Sequence, residues 1–240
     1  MLVRRLRCTK RSQTQCSALQ CRTNRPWSAQ AWLDLSSGVL GSQKLDVLSS
    51  KMNGIAVSGT QGVTIQDSTI QAAGVFGIWT GSDQSSVSSN VSITNNLIQN
   101  VESNGIYLSF TQNTTIRGKT LQHNHHVALF DECNGLCPGG QIDMLNNSSL
   151  QIYSNQILNG QIDLNNAAGQ TDGIEIANQN TNVTITNNEI TNNLAWGVGA
   201  DPGTTGTNFL ITGNNISNNG INLYGLSGTG IQESGDCFTQ

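Results

Sequence analysis

Asp143 and Glu175 each sit in a short alternating stretch, Ile142-Asp143-Met144 and Ile174-Glu175-Ile176. Successive side chains of a strand point to opposite faces, so inward isoleucines leave both carboxylates pointing out. Trp79 and Tyr107 hold the same place after Ile78 and Ile106. Paired carboxylates are the machinery of glycoside hydrolysis. One protonates the leaving oxygen and the other attacks or activates water. Adjacent like charges also push one pKa up, which gives the split an acid and a base require. Aromatic faces stack on sugar rings, so Trp79 and Tyr107 are candidate substrate-binding residues beside the candidate catalytic pair.

A second polar group lies nearby. Gln122-His123-Asn124-His125-His126 holds all three histidines of the chain, and Asp131, Glu132, Asp163 and Asp172 lie in or beside the same two segments. We expect His123, His126, Asp131, Glu132 and Asp163 to line a substrate groove. Histidine beside carboxylates offers a general base or a divalent-metal site. Clustered carboxylates also offer Ca²⁺ its oxygen ligands. Solvated side chains in a polar turn are the competing reading.

These residues are positioned by a repeat. It reads Val63-Thr64-Ile65, Val91-Ser92-Ile93, Thr114-Thr115-Ile116, Leu150-Gln151-Ile152, Val183-Thr184-Ile185 and Phe209-Leu210-Ile211. Five residues after each last isoleucine comes another large aliphatic: Ile70, Ile98, Leu121, Ile157, Ile190 and Ile216. A lead aliphatic precedes each unit, usually after glycine, at 55, 78, 106, 142, 174, 198 and 221. The alternation has period two and the residues suit a pleated surface, which excludes helical repeats. No single repeat buries its apolar face, but a stack does. Asn96, Asn155, Asn188 and Asn214 each fall three residues past the second strand. Stacked amides of this kind hydrogen-bond from coil to coil. The fold expected is a parallel β-helix of about seven coils. Residues 51–240 form it, and residues 1–50 form an irregular basic tail that includes an atypical first coil or cap. The outward residues after each lead aliphatic then read Ala56, Trp79, Tyr107, Asp143, Glu175, Gly199 and Asn222. Connections are longest from Leu121 to Ile142 and from Ile157 to Ile174, side by side at one corner, where they would wall a groove.

Over roughly residues 51–236 the chain resembles the pectate-lyase-like superfamily of right-handed parallel β-helix proteins. The resemblance implies the hand and an extracytoplasmic, polysaccharide-directed role. That superfamily holds lyases, hydrolases, epimerases, tailspikes and non-enzymatic surface proteins, so fold does not imply one activity. Gln170-Thr171-Asp172-Gly173-Ile174-Glu175-Ile176 resembles the Asn-Thr-Asp-Gly-hydrophobic-Asp motif of polygalacturonase-type hydrolases. The Asp-Asp pair of that family is replaced here by Asn193-Leu194-Ala195-Trp196-Gly197, and its Gly-His-Gly and Arg-Ile-Lys motifs are missing. The likeness carries over Asp172 as a third candidate catalytic acid, and not the mechanism. Lyases of this fold use Arg or Lys as base with Ca²⁺, and the repeat body has only Lys51, Arg117 and Lys119. Asp201-Pro202-Gly203 is similar to the start of the Asp-Pro-His motif of alginate epimerases but lacks the histidine, and is read as a turn.

Charge sharpens the choice. Seven of the eleven basic residues lie in the first 25 positions, which contain no acid. From residue 26 onward four bases face fifteen acids, a net charge of −11. Such a body repels nucleic acid and bare polyuronate. No apolar run is long enough to span a membrane. Cys133 and Cys137 flank a turn-rich segment and would close a small disulfide loop in an oxidising compartment. The sequence therefore predicts an extracellular or cell-surface, glycan-directed β-helix that cleaves glycosidic bonds, with hydrolysis favoured over lyase chemistry. A non-catalytic carbohydrate-binding or structural module is the alternative on the same fold.

Overall fold

The computed structural model describes residues 45–50, 52–81, 84–85, 87–124, 139–160, 171–226 and 228–239, with strand segments at 6–7, 16–17, 20–21, 33–34 and 40–43. All regular structure among them is β-strand, arranged in three parallel sheets of nine, ten and nine strands. Each coil contributes one strand to each sheet in turn, which is a parallel β-helix. No helix among the described residues is long and apolar enough to cross a membrane.

The inward columns form the core. Ile55, Ile78, Ile106, Ile142, Ile174 and Val198 stack in the first sheet, each fully buried. Ile65, Ile93, Ile116, Ile152, Ile185 and Ile211 do so in the second, and Ile70, Ile98, Leu121, Ile157, Ile190 and Ile216 in the third. Each such side chain stabilises the stack by about 1.5–3 kcal/mol. A glycine precedes most of the lead aliphatics and marks a tight corner. A Cβ on Gly77 would sit 2.5 Å from the carbonyl oxygen of Gly105 and 2.7 Å from Ile98 Cγ2.

One register differs from the sequence expectation. Val198 pairs with Leu223, and Ile221 pairs with Trp196 and is 48% exposed. The last inward position is therefore Leu223, and the outward residue beside Gly199 is Tyr224 rather than Asn222. A shift by two residues preserves which side chains face in, so alternation alone cannot separate the two registers.

Buried amides tie the coils together at the corners. Asn155 N–H and Nδ2 donate to Asn188 Oδ1 at 3.0 and 2.9 Å, and Asn188 N–H and Nδ2 donate to Asn214 Oδ1 at 3.0 and 2.9 Å. Asn96 belongs to the same column and accepts from Ser68 N–H at 3.0 Å. Lys119 takes the place between Asn96 and Asn155. Its backbone N–H joins the ladder through Asn155 Oδ1, while its amine is buried without a partner and burial lowers its pKa well below the usual lysine value. At the corner leading into the first sheet, Gln141 does the work of a missing asparagine. Its Nε2 donates to Leu158 O and Asn193 Oδ1, both at 2.8 Å, and its Oε1 accepts from Asn124 Nδ2.

Asn188→Ala removes the acceptor for two buried donors on the coil below. Each group left unpaired costs about 1–3 kcal/mol. The expected result is a clearly lower urea midpoint, read by far-ultraviolet circular dichroism.

Candidate functional site

The outward row on the first sheet runs coil by coil as the alternation requires. Trp79 pairs with Tyr107, Tyr107 with Asp143, Asp143 with Glu175, and Glu175 with Gly199. Neighbouring rungs are about 4.8 Å apart. Trp79, Tyr107 and Asp143 are partly exposed, whereas Glu175 is 3% exposed and Asp172 is 0%.

Four carboxyl groups meet at this place. Asp201 joins Asp143, Glu175 and Asp172 from the end of the strand Trp196–Ala200. It is the next outward position after Gly199, so the period-two pattern held the signal. The Asp201 turn is also real, with Thr204 N–H donating to Asp201 O at 3.0 Å. The same residue thus closes a turn and points a carboxylate at the site. Glu175 and Asp201 share a side-chain hydrogen bond, while Glu175 Oε2 is buried without a partner.

Crowding and burial hold protons on these groups. Burial first, and then the charge of Asp201, push Asp143 up to about 7, against the hydrogen bond that Asn104 Nδ2 donates to its Oδ2 at 3.0 Å. Glu175 lies well above the ordinary glutamate value because of burial, then Asp143, Asp201 and Asp172. Asp172 rises to about 7 through burial, although its Oδ1 accepts from Trp196 N–H at 2.8 Å. Asp201 is raised by burial, opposed by its bond to Glu175. Tyr107 is pushed up to about 12 by burial and by the nearby Asp143 and Glu175.

Two aromatic pairs flank the acids. Phe76 stacks on Tyr107 with centroids 4.8 Å apart and planes 9° apart. Trp196 stacks on Tyr224 at 4.1 Å and 15°. Phe76, Trp196 and Tyr224 were not predicted from the sequence. The Trp196 ring fills the outward space above Gly199, where a Cβ would lie 1.9 Å from Cε3.

The remaining expectations divide. His123 lies at a corner of the third sheet in left-handed conformation (φ 54°), aligned with Asn100 (φ 54°) and Asn159 (φ 53°). His126, Asp131, Glu132 and Asp163, and the Cys133–Cys137 segment, lie outside the described residues. No group of three His, Cys, Asp or Glu among the described residues is placed to hold a metal ion. The described cations lie elsewhere: Arg117 is exposed on the second sheet and Lys119 is buried at a corner.

A family model of the right-handed β-helix region matches residues 41–238. The chain belongs to the right-handed β-helix family. Among solved structures, the periplasmic alginate epimerase AlgG superposes with a TM-score of 0.65 at 14% identity, over 87% of this chain and 47% of the epimerase. The A-module of the mannuronan C-5 epimerase AlgE6 of Azotobacter vinelandii gives 0.57 at 15%, over 88% and 59%. The catalytic unit of a GH87 α-1,3-glucanase from Streptomyces thermodiastaticus gives 0.54 at 16%, over 88% and 47%. The chain spans about half the length of these structures. At such identities the likeness is one of fold. No curated protein sequence matches the chain.

The raised carboxyls make a stability prediction. Between about pH 4, the ordinary carboxyl range, and about pH 7, where Asp143 and Asp172 titrate, the folded chain holds protons that the unfolded chain has lost. The contribution of these groups to stability therefore falls as pH rises through that window. Asp172→Asn cannot ionise and keeps the acceptor for Trp196 N–H. Its Tm should exceed that of the parent at pH 8, and the difference should vanish near pH 4 in thermal melts.

Proposed function

We propose that this chain hydrolyses glycosidic bonds in a neutral or weakly charged glycan, using Asp143 and Glu175 on the outward row of the first sheet. The observation that carries the reading is the pairing of these two acids on adjacent coils, flanked by aromatic rings. Glu175, whose pKa burial and the neighbouring carboxyls raise well above the ordinary glutamate value, serves as general acid toward the leaving oxygen. Asp143, the more open of the two and oriented by Asn104, acts on the sugar or on water once ionised. Asp201 holds Glu175 and keeps its proton affinity high. Asp172, wholly buried, positions the backbone of Trp196 rather than touching substrate. Tyr107 supplies a face for a sugar ring, and Trp79 neighbours it on the preceding coil.

Charge argues for hydrolysis over β-elimination or epimerisation of a uronan. Four acids crowd the site, so a uronate carboxylate would meet like charge as soon as any of them ionises. AlgG is periplasmic and the glucanase carries the name of a polysaccharide. With these parallels we assign the chain to a glycan-bearing, extracytoplasmic setting. The alternative, a non-catalytic glycan-binding module, draws on the near-complete burial of Glu175.

Two measurements test the reading. On a glycan panel scored for new reducing ends and for unsaturated products, Asp143→Asn and Glu175→Gln should each lower kcat about 10²-fold or more, with no ultraviolet-absorbing product from the parent. Reducing ends unchanged in both variants would remove the site assignment, and silence of the parent would favour the module. The kcat/KM profile of the parent should rise through pH about 7, as Asp143 ionises, and fall above the raised pKa of Glu175. Asp201→Asn removes a negative neighbour from both groups, so both limbs should move to lower pH.

A further inference from the structure

The two aromatic pairs have an orientation that decides how a glycan can lie here. The atoms of Trp196 nearest a Cβ on Gly199 would be Cε3, Cδ2 and Cζ3, at 1.9, 2.6 and 2.8 Å. The six-membered part of the Trp196 ring therefore occupies the outward space on the Gly199 rung. Its stacking partner Tyr224 comes from the next coil, in register with Gly199, and the planes are 15° apart at a 4.1 Å centroid distance. The stacking direction thus follows the helix axis, and the ring planes stand across it. At the other end Tyr107 has Phe76, from the preceding coil, stacked behind it at 4.8 Å and 9°. Phe76 occupies the position in its coil that Asn104 holds in the next, just before the lead strand.

Both pairs are therefore upright double walls, and Asp143 and Glu175 occupy the two rungs between them. From the Tyr107 rung to the Gly199 rung there are three steps, about 14 Å in all. Allowing about 3.5 Å of van der Waals contact in total at the two ring faces, roughly 10 Å remains free. One sugar unit is roughly as long as one or two rungs, so the slot takes about two units.

We propose that Tyr107 and Trp196 form a clamp that grips the sugar pair on either side of the scissile bond, and that the rest of the glycan crosses the sheet rather than running along the helix axis. This rests on the hydrolase reading and adds to it a substrate-binding residue, Trp196, and a short recognition length. A long row of subsites along the axis is blocked by the walls at Tyr107–Phe76 and Trp196–Tyr224. Asp172 sets the height of the second wall through the backbone of Trp196.

The test uses sets of neutral hexose and pentose oligosaccharides, two to eight units long, with the full chain and its Trp196→Ala and Trp196→Phe variants. Far-ultraviolet melts verify folding of each variant. The clamp predicts that kcat/KM reaches a plateau by three or four units. It predicts a loss of at least tenfold in Trp196→Ala on the shortest cleaved substrate, recovered largely by Trp196→Phe. If kcat/KM climbs steadily to eight units and Trp196→Ala loses only the gain of the long substrates, the glycan runs along the axis. The clamp is then overturned while hydrolysis stands. If the parent cleaves no member of the sets, the hydrolase reading and the clamp fall together.

Discussion

Every coil hydrogen-bonds to the next through all three sheets, and this vertical pairing at about 4.8 Å per rung places everything else in the molecule. The pairing is held in register by fully buried isoleucine columns, because a slip of one residue would turn each column out to water. A residue on one coil therefore has a fixed neighbour on the next. Asp143 and Glu175, far apart in sequence, become adjacent through nothing more than their shared position after a lead isoleucine. The same rule aligns Trp79 with Tyr107 and Glu175 with Gly199.

The corners carry the polar side of this arrangement. A strand that turns three times per coil leaves backbone groups inside the bend, and buried groups must find partners. Asparagine side chains supply them, coil after coil, in the ladder from Asn155 through Asn188 to Asn214. Left-handed corner positions such as Asn100, His123 and Asn159 accept the positive φ that the turn demands. His123 is therefore as much a corner residue as a candidate for chemistry. Where the ladder is broken the repair is visible: Gln141 reaches across one gap, while Lys119 fills another with an unpartnered amine.

Against that background the acid cluster is a local expense. Four carboxyls share one end of the first sheet, two of them almost without solvent, and they hold protons that ordinary carboxyls would release. Local rules of folding would not place them there, and such departures gather at functional sites. The stack tolerates the cost because its columns and ladders are independent of the outward row. Two stacked aromatic pairs, Phe76–Tyr107 and Trp196–Tyr224, flank the acids.

The sequence by itself determined the columns, the stack of coils and the outward row from Trp79 to Glu175, and the structure set the number of sheets at three. Columns, stack and row each follow from a two-residue alternation at a constant offset, and alternation fixes which face a side chain takes. It could not separate Ile221 from Leu223, since both obey the same alternation, and so Tyr224 was out of reach. Asp172 was legible only through a family-like motif, and its burial under the strand edge was not. Asp201 stood in an outward position but read as a turn, and it is both. The tertiary structure alone decided that Asn104 would orient Asp143, that Gln141 would bridge a corner, and that Trp196 would stand on Gly199. Those contacts depend on where side chains several coils apart come to rest, and no period in the chain encodes that distance.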